Sequence, residues 1–536
     1  MNLRANRVSA LTSFFLILCL SLPAAGLAQS TTGTIEGLVR DQSGAAIAKA
    51  KITIKNIETS VSRDVTTDDG GRYRVPALQL GHYEVKAEHQ GFTSQLRSGI
   101  ELTVGRVAVV DFELPVGKVE DTMTINAEAS LVETNSPAMA GLIAERDIKE
   151  LPLNGRDVFQ LTTLQVGVIN TAGITSTFGA GAIDVGPGTT KIAVNGARIT
   201  TNSFTLDGTR VNDALNNTPG SVSGGFIGVD LLQEFQILTS NYSAEHGTAG
   251  GAIINAVTKS GSNEIHGTAF EFHRNDNFDA RNFFDPGDVP EFKRNQFGGS
   301  IGGPIIEDRT FFFGGYEGLR QDLGVSRRFS VPTPAARARA VPSVRPYADL
   351  YPLPNGESLD ADTAFYLRPS SDRIRGDSFM VRVDHQISGR DSLFGRYSFD
   401  DSETQLEDLV IQNSATMGRN QYFTLNETHI FSQRVVNSFR FGFNRSAIET
   451  NRPFVVDVPE SLSFVPGRPL GTFFGFTEIA SLADSIFTPR FFAYNQFEFT
   501  DDLSIIRGAH SLKMGFTARR IQLNADSVQA LDGVYV

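Results

Sequence analysis

The side chains that could make or break bonds are few and scattered. The sequence holds eight histidines, none in a His-Glu-x-x-His pair, so the close His and carboxylate spacing of a zinc hydrolase is missing. His82 and His89 read as surface or packing residues rather than metal ligands. The single cysteine, Cys19, lies in an apolar leader, leaving the remaining chain without a disulfide or a thiolate site. No GxxxxGK[ST] loop is present, and Gly179-Ala-Gly-Ala-Ile-Asp184 lacks the third glycine of a dinucleotide fingerprint. Asp207, Asp213 and Asp230 do not have calcium-loop spacing. No catalytic residue, metal site or cofactor is therefore expected. The charges that stand out sit beside turns: Asn154-Gly155-Arg156, Asn195-Gly196-Ala197-Arg198, and Asp207-Gly208 followed by Arg210 and Asp213. Their chemistry is ion pairing and recognition. Solvated or structural salt-bridge roles are favoured over ligand contact for Arg198, Asp207, Arg210 and Asp213.

The elements that position these turns follow from composition and pattern. Arg4 and Arg7, an apolar run from Leu11 to Leu22, and small residues ending Gly26-Leu27-Ala28 make residues 1–28 a signal peptide, with cleavage after Ala28. Beyond it there is no run of roughly 18 apolar residues, so any membrane span has to be a β-barrel. A net charge of −12 excludes a nucleic-acid partner, since no basic stripe is available to displace phosphate counterions.

Residues 31–115 break into short alternating segments at about ten-residue spacing, the pattern of a β-sandwich. Gly37, Val39, Asp41, Gly44, the Thr67-Asp68…Gly71-Arg72-Tyr73 turn, Gly81-His82-Tyr83 and Gly91-Phe92 resemble the carboxypeptidase regulatory-like family, a transthyretin-like sandwich. Such sandwiches also resemble carbohydrate-binding modules. Tyr73, Tyr83 and Phe92 are the candidate sugar platform, with core packing favoured.

Residues 116–130 form a connector. Within it, Asp121-Thr122-Met123-Thr124-Ile125-Asn126-Ala127 resembles the TonB box of TonB-dependent outer-membrane receptors, an extended segment able to join a partner's sheet edge. Residues 131–260 carry Leu151-Pro-Leu-Asn154-Gly155-Arg156, Asn195-Gly196-Ala197-Arg198, Thr205-Leu-Asp207-Gly208 and Tyr242-Ser-Ala-Glu-His-Gly247. Together these resemble the plug domain of those receptors, in the Oar-like branch with an N-terminal regulatory-like sandwich. The resemblance implies TonB as partner and uptake of a siderophore, carbohydrate or oligosaccharide across the outer membrane of a diderm bacterium, with sandwich and connector in the periplasm. It also leaves open an Oar-like surface-binding or secretion-linked protein that imports nothing. Gly247, Gly250, Gly251, Ser260 and Gly261 are expected to form the joint between plug and barrel.

From residue 261 onward the barrel pattern stands without the family. Phe379, Val381, Val383 and Ile387 alternate with Ser378, Arg382, Asp384 and Gln386; Phe439, Phe441 and Phe443 alternate with Arg440, Gly442 and Asn444. One face suits outer-membrane lipid and the other a polar interior. Strands are expected near 263–274, 292–303, 309–320, 377–388, 391–402, 419–432, 434–447, 491–504 and 508–524, with short and long connections alternating. On the first strand, Phe270 and Phe272 share a face with His266. With no Trp, Tyr and Phe must form the interfacial girdles. The fold class is thus mainly β: sandwich, α+β plug and the first strands of an antiparallel barrel. A plugged transporter needs about 22 strands, so the chain is expected to be the N-terminal part of a longer protein or a truncated gene product.

Overall fold

The computed structural model describes residues 32–117, 122–126, 139–151, 153–171, 191–247, 249–278, 280, 289, 291–473, 479–483, 488–508, 510–527 and 531–535. The expected cleavage site at Ala28, and Asp121 and Ala127 of the TonB-box-like segment, lie outside them.

Eight strands build the sandwich: β1 (Gly33–Asp41), β2 (Lys51–Asn56), β3 (Ser62–Thr66), β4 (Arg72–Leu78), β5 (Gly81–Glu88), β6 (Ser94–Leu102), β7 (Val107–Val109) and β8 (Phe112–Leu114). One sheet runs β4-β1-β7, with β8 also paired to β1; the other begins β3-β2-β5-β6. Strict alternation drives the packing. Ile52 and Ile54 of β2 point inward and are fully buried, while Lys51 and Lys55 stay exposed. Tyr73 and Tyr83 also enter this core, and their hydroxyls donate to Val110 O (2.6 Å) and Gln79 O (2.7 Å). They are core residues and form no sugar platform, and Phe92 packs half-buried against the same core.

The connector departs from expectation. Thr122–Asn126 forms β9, which lies parallel on β6 with Ser94 opposite Thr122 and Ser98 opposite Asn126. The extended segment thus already occupies a sheet edge, that of its own sandwich.

The plug comprises β10 (Met139–Ile143), α1 (Glu145–Glu150), β11 (Val168–Asn170), β12 (Ile192–Val194), β13 (Ser203–Leu206), β14 (Thr209–Arg210), β15 (Leu232–Ser240) and β16 (Ile253–Thr258). Its main sheet has the order β10-β15-β16-β13-β14. Central β16 is buried along its whole length, which explains its near-continuous Ile-Ile-Asn-Ala-Val run. The core around Phe204, Leu206, Phe235 and Ile254 also takes in Phe313, Met380 and Tyr422 from the barrel strands. Plug and barrel wall therefore share one core.

Nine strands make the wall: β17 (His266–Asn275), β18 (Phe292–Ile306), β19 (Thr310–Pro332), β20 (Thr363–Gln386), β21 (Asp391–Leu406), β22 (Ser414–Ser432), β23 (Val435–Asn451), then β25 (Arg490–Arg507) and β26 (His510–Ser527). Two short strands, β24 (Thr472–Phe473) and β27 (Val534–Tyr535), pair with each other outside it. The wall is one antiparallel sheet in sequence order, with β17 and β26 as its edges among the described residues. Short and long connections alternate as expected. The strands, however, run further than the apolar alternation does. The β19–β20 ladder continues to Pro332 opposite Thr363, through a stretch expected to be loop. There apolar residues such as Val331 and Phe329 join a small core, and Arg327 reaches diagonally across the ladder so that its Nη2 meets Asp372 at 2.6 and 2.8 Å. Helices α2 (Pro334–Arg339) and α3 (Arg345–Ala348) follow β19, and the long connections collect around Val331, Tyr351, Ile411, Leu470 and Leu482 in a separate small core.

Candidate functional site

The site is built on two Asx-Gly turns of the plug. Asn195 (φ 51°) and Gly196 (φ 75°), and Asp207 (φ 48°) and Gly208 (φ 77°), are consecutive left-handed pairs, the geometry of type I′ turns. Leu206 and Thr209 close the second as a hairpin between β13 and β14. That turn drives Asp207 against the wall, where its carboxylate is 1% exposed. Arg396 Nε lies 2.8 Å from Oδ2 and Arg382 Nη1 3.5 Å from Oδ1. Thr258 adds its N–H (2.9 Å) and its hydroxyl (2.9 Å). Arg382 is held in turn by Asp384, through bonds of 2.9 and 2.8 Å, and stacks 4.5 Å from the Phe394 ring centroid. Arg396, itself fully buried, donates to Leu206 O (3.2 Å) and Thr424 Oγ1 (2.6 Å). Gly208 suits its φ of 77°, and a Cβ there would sit 2.3 Å from Arg440 Nη1, so a larger residue would have to displace that guanidinium.

Asn154-Gly155-Arg156 forms the second contact. Gly155 and Arg156 both have positive φ (71° and 56°), aiming the guanidinium at the wall. Arg156 Nη2 meets Asp230 Oδ2 at 2.6 Å, and its Nε lies 3.5 Å from Glu317 Oε1. The same cation lies 4.2 Å from the Phe270 ring centroid and 5.2 Å from that of Phe272. This explains the irregular first strand: on β17 the phenylalanines turn toward the plug because a cation there meets their π-faces.

The other candidates separate. Asp213 accepts from Leu215 N (2.9 Å) and Asn217 N (2.8 Å), fixing a loop, and burial pushes its carboxyl above the usual range despite those bonds. Arg210 donates to Asn216, and Arg198 is exposed. Near the expected joint, Gly250 N and Gly251 N both donate to Thr201 O (3.1 Å), and Gly247 N donates to Ala244 O (3.3 Å). Ser260 is half-buried and Gly261 is buried, where a Cβ would lie 2.3 Å from Phe312 O. Asn263 is tied to Asp308 by a reciprocal pair of 2.8 Å bonds. The segment's glycines at 247, 250 and 251 are thus tied within the plug, and only its end at residues 261–263 is held on the wall. Of the TonB-box-like residues, Met123 and Thr124 are exposed on β9, whose backbone spans Thr122, Ile125 and Asn126 as well.

Three contacts escaped the sequence reading. Glu245 of the plug pairs with Lys513 of β26. Asn444 Nδ2 donates to Asn212 O (2.8 Å) and Arg210 O (3.2 Å). Glu234 Oε1 accepts from Val104 N of the sandwich (2.5 Å), and burial pushes its carboxyl up to about 7. The only available signal was a charge breaking an apolar strand. On the opposite face of the wall, Asp391, Glu427 and His429 bring their ligand atoms within 4.8 Å of one another.

A polar wall face gripping the plug, with apolar side chains on the reverse, is the arrangement of part of a membrane β-barrel wall around a plug, although the nine described strands do not close. The chain belongs to the outer membrane beta barrel domain family, whose model matches residues 257–341 and 338–536. Residues 34–115 match the carboxypeptidase regulatory-like domain. A curated relative, the TonB-dependent transporter Oar of Myxococcus xanthus, is 28% identical over 326 residues, covering 58% of this chain and 29% of that protein. The chain thus spans under a third of that relative's length. Among solved structures, the outer membrane transporter YddB from Escherichia coli aligns with a TM-score of 0.47 at 13% identity, over 72% of this chain and 48% of that one. The siderophore receptor PirA from Acinetobacter baumannii aligns with a TM-score of 0.46 at 12% identity, over 72% and 48%.

Proposed function

We propose that this chain is part of an outer-membrane receptor that takes up a large or scarce ligand, a siderophore or a carbohydrate such as an oligosaccharide, with energy supplied through TonB. In this reading the sandwich and connector lie in the periplasm, and the long connections and the plug's outer surface meet the ligand. The observation that carries it is Asp207 held between Arg382 and Arg396. Beside the apolar core they share, plug and wall are joined by buried charges and hydrogen bonds, which new polar partners can replace. Such a plug suits a gate that a mechanical pull can remodel. The segment Asp121 to Ala127 would receive that pull. Deleting it is expected to abolish ligand accumulation by whole cells while leaving surface binding intact; uptake that survives the deletion overturns the mechanism.

A second reading is an Oar-like surface-binding or secretion-linked protein that does not import. The separate core shared by the long connections favours it, because an ordered cap can bind without a moving plug. Accumulation that collapses when the proton-motive force is dissipated supports uptake, and binding that is indifferent to it supports the second reading.

A further inference from the structure

The segment resembling a TonB box is already hydrogen-bonded as a strand. β9 is the last strand of the sheet β3-β2-β5-β6-β9, in parallel register with residues 94–98 of β6. The chain is steered there by the preceding turn: Thr93 N donates to Pro115 O (2.8 Å), Gly117 N donates to Gly91 O (3.2 Å), and Phe92 bridges Val116. From these observations we infer that the edge of β6 is a parking site for the connector strand, and that a partner strand must compete with the sandwich for it. The inference rests on the TonB-linked reading above.

Three features make this a releasable latch rather than a core strand. The pairing covers only five residues, and parallel pairing is slightly less stable per residue than antiparallel. Met123 and Thr124 remain exposed, so the described side chains of β9 add little apolar burial. The β6 residues in the sandwich core are Ile100 and Leu102, which lie beyond the paired stretch. Main-chain hydrogen bonds run along the β9–β6 ladder, and another sheet edge can replace them one for one. The latch also has a mechanical consequence. Val104, two residues after β6, clasps Glu234 and Gln236 of plug strand β15. While β9 is docked, a pull on it loads the sandwich and this clasp before the connector to the plug is drawn taut. A receptor with its strand parked presents less of it to the partner, lowering apparent affinity by the undocked fraction.

The test uses the full-length chain in outer-membrane vesicles, where Cys19 of the leader is the one native cysteine. Leu96→Cys with Thr124→Cys places a pair in register; Ser94→Cys with Asn126→Cys is offset by about 13 Å along the strands. Mild oxidation should join the first pair at least tenfold faster than the second. The joined protein should bind the purified periplasmic domain of TonB at least tenfold more weakly than the same protein after reduction. Hydrogen exchange on the native chain should show protection at alternate amides within residues 122–126, because an edge strand turns only every second N–H toward its single neighbour. Equal joining of both pairs overturns the docking. Unchanged TonB-domain binding after joining overturns the competition. If the reduced protein does not bind the domain although the in-register pair joins, the TonB-linked reading falls and the competition falls with it.

Discussion

Plug and sandwich are both attached to their neighbours, by different chemistry. The plug meets the wall through buried charge: Asp207 between two arginines, Arg156 between two carboxylates and two aromatic rings, and a shared apolar core. The sandwich meets the plug through the Val104 loop and Glu234, and touches the wall at Thr66–Gln433 and Glu58–Asn263. Removing one partner of a buried ion pair is costly, because the other charge is left in a poor solvent. The sandwich is held instead by a few hydrogen bonds, buried at Val104 and Glu234 and exposed at Thr66 and Gln433, and each contributes only about 1 kcal/mol net because water replaces it on separation. The difference teaches an order of release: the sandwich can leave the plug while the plug still holds the wall.

The largest expected effect breaks the stronger side of that comparison. Asp207→Ala strands Arg396, while Arg382 keeps Asp384, and should destabilise the plug–wall contact by about 3–5 kcal/mol, read as earlier protease entry to the plug in a urea series. If Asp207→Ala behaves as wild type, the ion pair does not hold the plug. Next, Arg156→Ala should cost about 2 kcal/mol, with Arg156→Lys recovering only part of it, because an ammonium cannot reach Asp230 and Glu317 with a planar fork.

The weaker contact should respond to pH. Burial raises the Glu234 carboxyl from 4.5 to about 7, with Val104 N opposing and the nearby Glu101 charge adding to the rise. A raised carboxyl pKa means that the docked state binds the extra proton. Its contribution is fully present below pH 4.5 and is lost as pH rises through about 7. Exchange of the Val104 amide should therefore quicken, beyond its intrinsic pH dependence, between those limits. Glu234→Gln should flatten that excess. An excess that persists in the variant assigns it to another group. Smallest of all, Gln433→Ala should change stability by about 0.5 kcal/mol or less in urea unfolding, since its contact with Thr66 is exposed.

Much of this architecture was legible in the chain. Alternation located all nine wall strands, because a sheet with lipid on one face and polar groups on the other repeats every two residues. It misplaced their ends: the β19–β20 ladder runs on past Arg327, where backbone pairing, the Arg327–Asp372 contact and a small core around Val331 hold it without strict alternation. The Asx-Gly signals marked the turns at Asn195 and Asp207 because few other residues accept two successive left-handed conformations. Nothing in the sequence named the partners of those turns. Asp207 lies far along the chain from Arg382 and Arg396, and only the register of β20 against β21, which sets Arg382 opposite Arg396, brings both arginines to one carboxylate.

The sequence by itself determined the period of the wall, the positions of the plug turns and the sandwich core, because each depends on local residue type and spacing. Tertiary structure alone decided which charges meet, that the plug and wall share one core, and that β9 rests on β6. Those depend on surfaces brought together from distant segments, and a short Thr/Ile-rich strand suits any free sheet edge. Its first available edge is its own sandwich.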